Sequence, residues 1–382
     1  MRPTLVKLKK NKLLIVGAFP PAGTKIYGGI VTTCRILLDS SFAENFDLIL
    51  IDTTQISNPP PNLAVRLVLA IKRFFSFTRA LLSEKPNAVL LFTDGFGASL
   101  LEKGIMAWLA RTKMIPVFLF PRGSELIHTV NASALQKAWV KAALHGGTHI
   151  LCQGPAWQRF ATDVMGFNKS NAPIVLNWSA TSALLELGAT KTATSEVFCN
   201  PTFLFLGWLE KEKGIFELLD ACLDISRICQ FSLVIAGRGR AEQEARDFVI
   251  ANCLQDCVEF VGWVQGADKD DLLKKADVLV LPSWAEGFPN VIIEAMAAKV
   301  AVIVTAVGNV PGLITDRQEA LLIPPKDSAA LGRALELLLR DAELRRRLTE
   351  TGYLFAQENF SVEKVGAKLA LTIEQAIELR GS

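Results

Sequence analysis

Twelve short apolar runs, set apart by stretches with helical periodicity, constrain the fold of this 382-residue chain more than any other feature. A run of roughly four to eight apolar residues bounded by turn residues reads as a strand buried on both faces, and such strands alternate with helices in parallel sheets. In the first half the strands fall near residues 13–18, 47–52, 88–93, 115–120, 148–152 and 173–176. In the second half they fall near 202–207, 232–236, 257–261, 277–281, 301–304 and 320–323. The pattern predicts an α/β chain with two Rossmann-like, doubly wound parallel sheets, each covered by helices on both faces. Between the two series, residues 181–200 are rich in Thr, Ser and Ala, and the apolar pattern restarts after Pro201. That composition predicts a domain over 1–185, a hinge over 186–200 and a second domain over 201–360, followed by a last helix within 361–382.

Composition excludes several classes. With 50% hydrophobic and 21% charged residues the chain is globular and rich in core, not disordered. The seven cysteines show no paired spacing of the zinc or disulfide type, and Cys253 and Cys257 have no second pair nearby. They read as reduced thiols of a cytosolic protein. A basic stretch precedes an apolar one at the N-terminus, as in a signal peptide, but Gly17 interrupts the apolar core, Pro20 and Pro21 end it, and no small-residue cleavage site follows. A first buried strand is the better reading. No uninterrupted run reaches the roughly 18 apolar residues of a membrane span. The net charge of +3 hides a division: residues 1–190 carry 20 Lys and Arg against 10 Asp and Glu, whereas residues 191–382 carry 21 against 28. One basic half suits an anionic membrane surface or another polyanion.

The most informative segment is ADVLVLPSWAEGFPNVIIEAMAAKVAVIVT, residues 276–305. A buried strand leads into a Pro-Ser-Trp-Ala-Glu-Gly turn, and Pro289 sits where a helix begins, at its first position. Gly287 permits a tight turn, and the N–H groups of Asn290, Val291 and Ile292 are left to point at a ligand. Glu286 lies on the turn, and Glu294 lies one helical turn beyond Asn290. Carboxylates accept hydrogen bonds from sugar hydroxyls, and helix-start amides suit phosphate, so a sugar, a diphosphate and a ribose would use them all. The plain alternative is a solvated loop charge and an exposed helix residue.

The run EGFPNVIIEAMA resembles the signature of retaining glycosyltransferase family 4, enzymes of the GT-B fold that use nucleotide-sugar donors. The resemblance extends through FLGWLEKEKG (205–214), LVIAGRGR (233–240), VEFVGWV (258–264) and AVGNVPGLI (306–314), and more thinly to Gly28, Gly29, PRGS (121–124) and VLNW (175–178). It implies that Glu286 holds the transferred sugar, Glu294 the ribose hydroxyls and Lys213 the leaving diphosphate. It also implies donor contacts from Gly28 and Gly29, from Trp263, and along Gly287, Phe288, Pro289, Asn290 and Val291. A basic N-terminal domain would take a glycan or lipid-linked acceptor, and the last helix would cross back onto that domain. The resemblance calls for no metal or other cofactor and no nucleic-acid partner. Transfer of a sugar in cell-surface polysaccharide or lipopolysaccharide assembly is the expected function, in the cytoplasm or at the inner face of its membrane. A nucleotide-sugar epimerase, or a binding partner without turnover, are the alternatives.

Two positions depart from the family pattern. Trp208 stands where the family has an arginine that helps neutralise the diphosphate, and Arg238 or Lys211 are the candidates to replace it. Arg122 occupies the place of a site histidine; it can bind an anionic or hydroxylated ligand but cannot act as a base near neutral pH. His128, His145 and His149 read as structural or surface residues. Asp268-Lys269-Asp270 matches a D-x-D metal motif formally, but reads as the acidic start of a helix. Residues 63–82, LAVRLVLAIKRFFSFTRALL, combine Arg66, Lys72, Arg73 and Arg79 with Leu and Phe. That helix either covers the first sheet or rests on an acidic leaflet, and core cover is the favoured reading.

Overall fold

Eleven of the twelve apolar runs form strands, and every strand pairing is parallel. The computed structural model describes residues 10–20, 28–54, 61–93, 97–122, 126–127, 130, 133–191 and 200–381. The chain folds as two compact units, one made of Met1–Leu176 with Glu363–Ser382, the other of Asn177–Val362.

In the first unit five strands, β1 (Asn11–Gly17), β2 (Phe46–Asp52), β3 (Ala88–Thr93), β4 (Val117–Pro121) and β5 (His149–Ile150), lie in the order β2-β1-β3-β4-β5. Leu14 aligns with Ile49 on one side and Val89 on the other, so β1 is paired along both edges. Leu13 to Val16 and all of β3 and β4 are buried, as continuous apolar runs require in a parallel sheet. The run at 173–176 contributes only one bridge, Ile174 to Cys152. Its Pro173 carbonyl accepts from Cys152 N and its Val175 N donates to the Cys152 carbonyl, two residues beyond the end of the short strand β5.

In the second unit six strands, β6 (Thr202–Leu206), β7 (Ser232–Ala236), β8 (Val258–Gly262), β9 (Val278–Leu281), β10 (Ala301–Thr305) and β11 (Leu321–Ile323), lie in the order β11-β10-β9-β6-β7-β8. This is the doubly wound order in which two βαβαβ halves meet at the first and fourth strands.

One expectation is revised. The unit boundary falls between Leu176 and Asn177, ahead of the hinge placed at 186–200. Residues 186–190 belong to helix Ser182–Thr190. Within the second unit Tyr353 Oη donates to the Leu185 carbonyl at 3.1 Å, and Gly188 lies so close to the Ala297 carbonyl that a Cβ would stand 2.2 Å from it. Residues 192–199 lie outside the described residues. Helix Leu63–Ser83 covers the first sheet, as favoured, through the buried Phe77 and Leu81, but most of its apolar residues face outward.

The last helix, Val362–Gly381, is held to the first unit at both ends. The Ser41 amide and hydroxyl both donate to the Glu363 carboxylate, and Arg380 Nη2 donates to the Lys113 carbonyl at 3.1 Å.

Candidate functional site

In the second unit the strand order reverses between β6 and β9, and the region outside the C-terminal ends of strands at such a switch point is the usual ligand position in these sheets. The loop after β6 makes a short 3₁₀ turn, Lys211–Lys213, before helix Ile215–Ile225. The loop after β9 runs from Pro282 to Pro289 before helix Asn290–Ala297.

Two contacts fix these loops against each other. Trp284 N donates to the Glu212 carbonyl at 2.8 Å, and Trp284 Nε1 donates to Glu217 Oε1 at 2.8 Å. Gly214 has φ +73 and backs onto Pro282 so tightly that a Cβ would lie 2.1 Å from the Pro282 oxygen. The result is a direct ion pair between residues far apart in sequence: Lys213 Nζ lies 2.5 Å from Glu286 Oε1. Gly308, with φ +59 and 1.9 Å between its would-be Cβ and the Glu286 oxygen, presses the β10 loop onto the same turn. Asn309 N donates to the Gly287 carbonyl at 2.9 Å.

Pro289 is the N-cap residue, not the first helical position: its φ of −69 suits both, and its ψ of 128 is extended. No side chain caps this helix, so its first-turn amides lack intrahelical acceptors, as at any helix start, and carry the positive end of the dipole. Asn177 Nδ2 donates to the Phe288 carbonyl and to Asn290 Oδ1, both at 2.9 Å, which orients the entry to the helix. The Phe288 ring is buried and stacks on Phe360 at 5.1 Å, so its side chain serves the core.

Glu294 is buried, not an exposed helix residue, and its Oε1 lies 2.7 Å from Lys269 Nζ. Lys269 belongs to helix Ala267–Lys275, whose first turn carries Asp268 and Asp270. The Asp-Lys-Asp sequence is therefore helical, with its lysine on the Glu294 carboxylate. Burial, with Glu294 adding to it, pushes the Asp270 carboxyl above its ordinary range despite the opposing Lys269. Among the described residues no three His, Cys, Asp or Glu side chains group as a metal site.

Trp208, Arg238 and Trp263 follow the neighbouring strands β6, β7 and β8. The two indoles lie 4.7 Å apart at 45°. The Arg238 guanidinium runs over Gly262, where a Cβ would stand 3.6 Å from its Nη2. Of the two cations considered as replacements beside Trp208, Lys211 is engaged with Glu244 at 2.8 Å. Arg238 is exposed and makes no ion pair among the described residues.

In the first unit Gly28 precedes helix Gly29–Leu38, with open space around both glycines. Arg122, at the end of β4, donates from Nη2 to Thr33 Oγ1 on that helix at 3.1 Å and covers the Phe120 ring at 5.0 Å. Burial pushes its guanidinium down to about 10, still cationic near neutrality. Gly123, Ser124 and His128 lie outside the described residues. His145 and His149 stack on Phe167 and Phe118, each at 4.6 Å, and are structural.

Sequence reasoning missed Lys269, Trp284 and Asn177 as positioning residues. Lys269 carried a signal, as the one cation inside an acidic helix start.

Two parallel α/β units, the second with carboxylates and a lysine gathered at its switch point, define a GT-B scaffold. Residues 199–355, which hold Lys213, Glu286 and Glu294, match the family model described as "Glycosyl transferases group 1". Over 173 residues the chain is 30% identical to alpha-D-kanosaminyltransferase of Streptomyces kanamyceticus, which covers 44% of this chain and 44% of that protein. The chain spans between 40% and 64% of the lengths of five curated relatives it matches. The solved structure of sucrose-phosphate synthase from Thermosynechococcus elongatus shares the fold, with a TM-score of 0.74 at 20% identity over 97% of this chain and 100% of that one. So does HepE of Anabaena in complex with UDP and glucose, with a TM-score of 0.68 at 16% identity over 96% of this chain and 100% of that one.

Proposed function

We propose that the chain is a retaining glycosyltransferase that moves a sugar from a nucleotide-diphosphate donor to a glycan or lipid-linked acceptor in cell-surface polysaccharide assembly. The observation that carries the reading is the Lys213–Glu286 pair at 2.5 Å, held at the switch point beside an uncapped helix start. A carboxylate there accepts from sugar hydroxyls, a lysine meets the diphosphate as the glycosidic bond breaks, and first-turn amides take the remaining phosphate oxygens. Glu294, further along the same helix, takes the ribose hydroxyls.

Arg122 cannot serve as a base, and the reaction does not require one from the protein. As the sugar leaves, an oxygen of the departing diphosphate accepts the proton of the acceptor hydroxyl on the same face of the sugar, which returns the original anomeric configuration. Lys213 and the helix start supply the positive charge, so chelation of divalent metals is expected to leave the rate unchanged. A lipid-linked acceptor places the reaction at the inner face of the cytoplasmic membrane.

The test is a melting-temperature screen against UDP-, GDP- and ADP-sugars, because a ligand that binds only the folded state stabilises it by mass action. One nucleotide class is expected to raise the melting temperature, and NMR of the transferred product is expected to show the donor's anomeric configuration. No stabilisation by any donor, or an inverted product, overturns the reading.

Arg238 supplies the charge missing at Trp208. Arg238→Ala is expected to raise the donor KM about tenfold, the scale of one charge-assisted hydrogen bond. Lys211→Ala is expected to change it by less than about twofold, since an exposed ion pair such as Lys211–Glu244 contributes little. Equal effects in the two variants would remove Arg238 from the site.

A further inference from the structure

Helix Ala98–Arg111 packs between helices Leu63–Ser83 and Ala134–Leu144 in the first unit. Arg73 bridges to Glu102 at 2.6 Å on one side, and Trp108 Nε1 donates to the Ala142 carbonyl at 2.8 Å on the other. The outward face of this layer is apolar. Leu63, Leu67, Ile71 and Phe75 follow one another at four-residue steps along the first helix, with exposures of 78%, 61%, 47% and 67%. On the neighbouring helix Leu101, Ile105 and Trp108 repeat the stripe, each close to half exposed. A helix that only covered a sheet would turn polar residues to water, and contiguous exposed apolar stripes mark a contact surface.

The charge on these helices is one-sided. Glu102 is their one acidic residue, and it is held by Arg73 at 2.6 Å and Lys103 at 3.0 Å. Arg66, Lys72 and Arg79 stand exposed beside the apolar stripe, and Lys137 and Lys141 stand exposed on the third helix. Apolar side chains flanked by uncompensated cations match the boundary of an anionic bilayer, where the former enter among acyl chains and the latter meet phosphates. A second copy of the same face fits poorly, since it would bring cation against cation with no acid between.

We propose that this three-helix face docks on an anionic phospholipid surface, with Leu67, Ile71 and Phe75 inserted and Arg66, Lys72 and Arg79 on lipid phosphates. The assignment stands on the first unit alone and does not depend on the transfer chemistry. The test is flotation of the full chain with vesicles of phosphatidylcholine alone or with phosphatidylglycerol, at low and high salt. Partition into the anionic vesicles is expected to exceed that into neutral ones about tenfold or more and to fall with salt. Leu67→Ser with Phe75→Ser, and separately Arg66→Gln with Lys72→Gln and Arg79→Gln, are each expected to lower it about tenfold, with unchanged melting temperatures because these side chains are exposed. Absent binding, equal binding to both vesicle types, or variants that bind like the parent overturn the proposal. A concentration-dependent dimer that Phe75→Ser abolishes would make a second copy the occupant and overturn it equally.

Discussion

Lys213→Ala is expected to lower turnover by about 10²–10³, the range observed when one preorganised charge-stabilising donor is removed from a reacting centre. The ammonium sits on Glu286 with side-chain exposures of 27% and 14%, so neither charge is fully hydrated and each depends on the other. On the proposed function, the diphosphate of an entering donor would compete for Lys213 and its sugar hydroxyls for Glu286, exchanging the pair for two contacts to the ligand. The two variants should therefore differ in kind. Glu286→Ala frees Lys213 for phosphate, so donor affinity is kept while kcat falls by about 10² or more. Lys213→Ala removes the cation and leaves a carboxylate facing a diphosphate, so donor affinity and kcat fall together. Steady-state kinetics with a saturating acceptor separate the cases, and kcat in both variants within about threefold of the parent would sink the assignment of the pair.

The fold was legible because parallel strands buried on both faces leave continuous apolar runs, and such runs cannot be hidden among helices. The one run that failed lies beside a short edge strand: it meets only Cys152, two residues beyond the end of β5. The site was legible in part, and the missing part has one physical cause. Glu286 and the start of its helix are local features, readable from turn and helix chemistry, although whether Pro289 is N-cap or first helical residue depends on a ψ angle the sequence leaves open. The partners of the carboxylates are long-range: Lys213 reaches Glu286 only because β6 pairs with β9 across the switch point, and Lys269 reaches Glu294 from a third element. Composition was equally ambiguous for residues 63–82. Arg66, Lys72 and Arg79 fit either reading of that helix, and only the burial of Phe77 and Leu81 in place of Phe75 and Leu67 shows which side meets the sheet.

Lys269→Ala is expected to destabilise the second unit by about 3–5 kcal/mol, because Glu294 would remain a buried carboxylate with no cation. For a unit of this size that corresponds to a fall in melting temperature on the order of 10 °C. The double variant Lys269→Met with Glu294→Leu removes both charges and keeps apolar volume, so it should melt close to the parent, as replaced buried pairs commonly do. Stability and ligand recognition then come apart. Lys269→Ala keeps the carboxylate proposed to take the ribose hydroxyls, so a saturating donor should still raise its melting temperature. The double variant has no such acceptor, and its donor-induced rise should disappear although its fold is sound. Calorimetry with and without donor reads both effects in one series. A donor-induced rise that survives in the double variant but is lost in Lys269→Ala would move the recognition from Glu294 to Lys269.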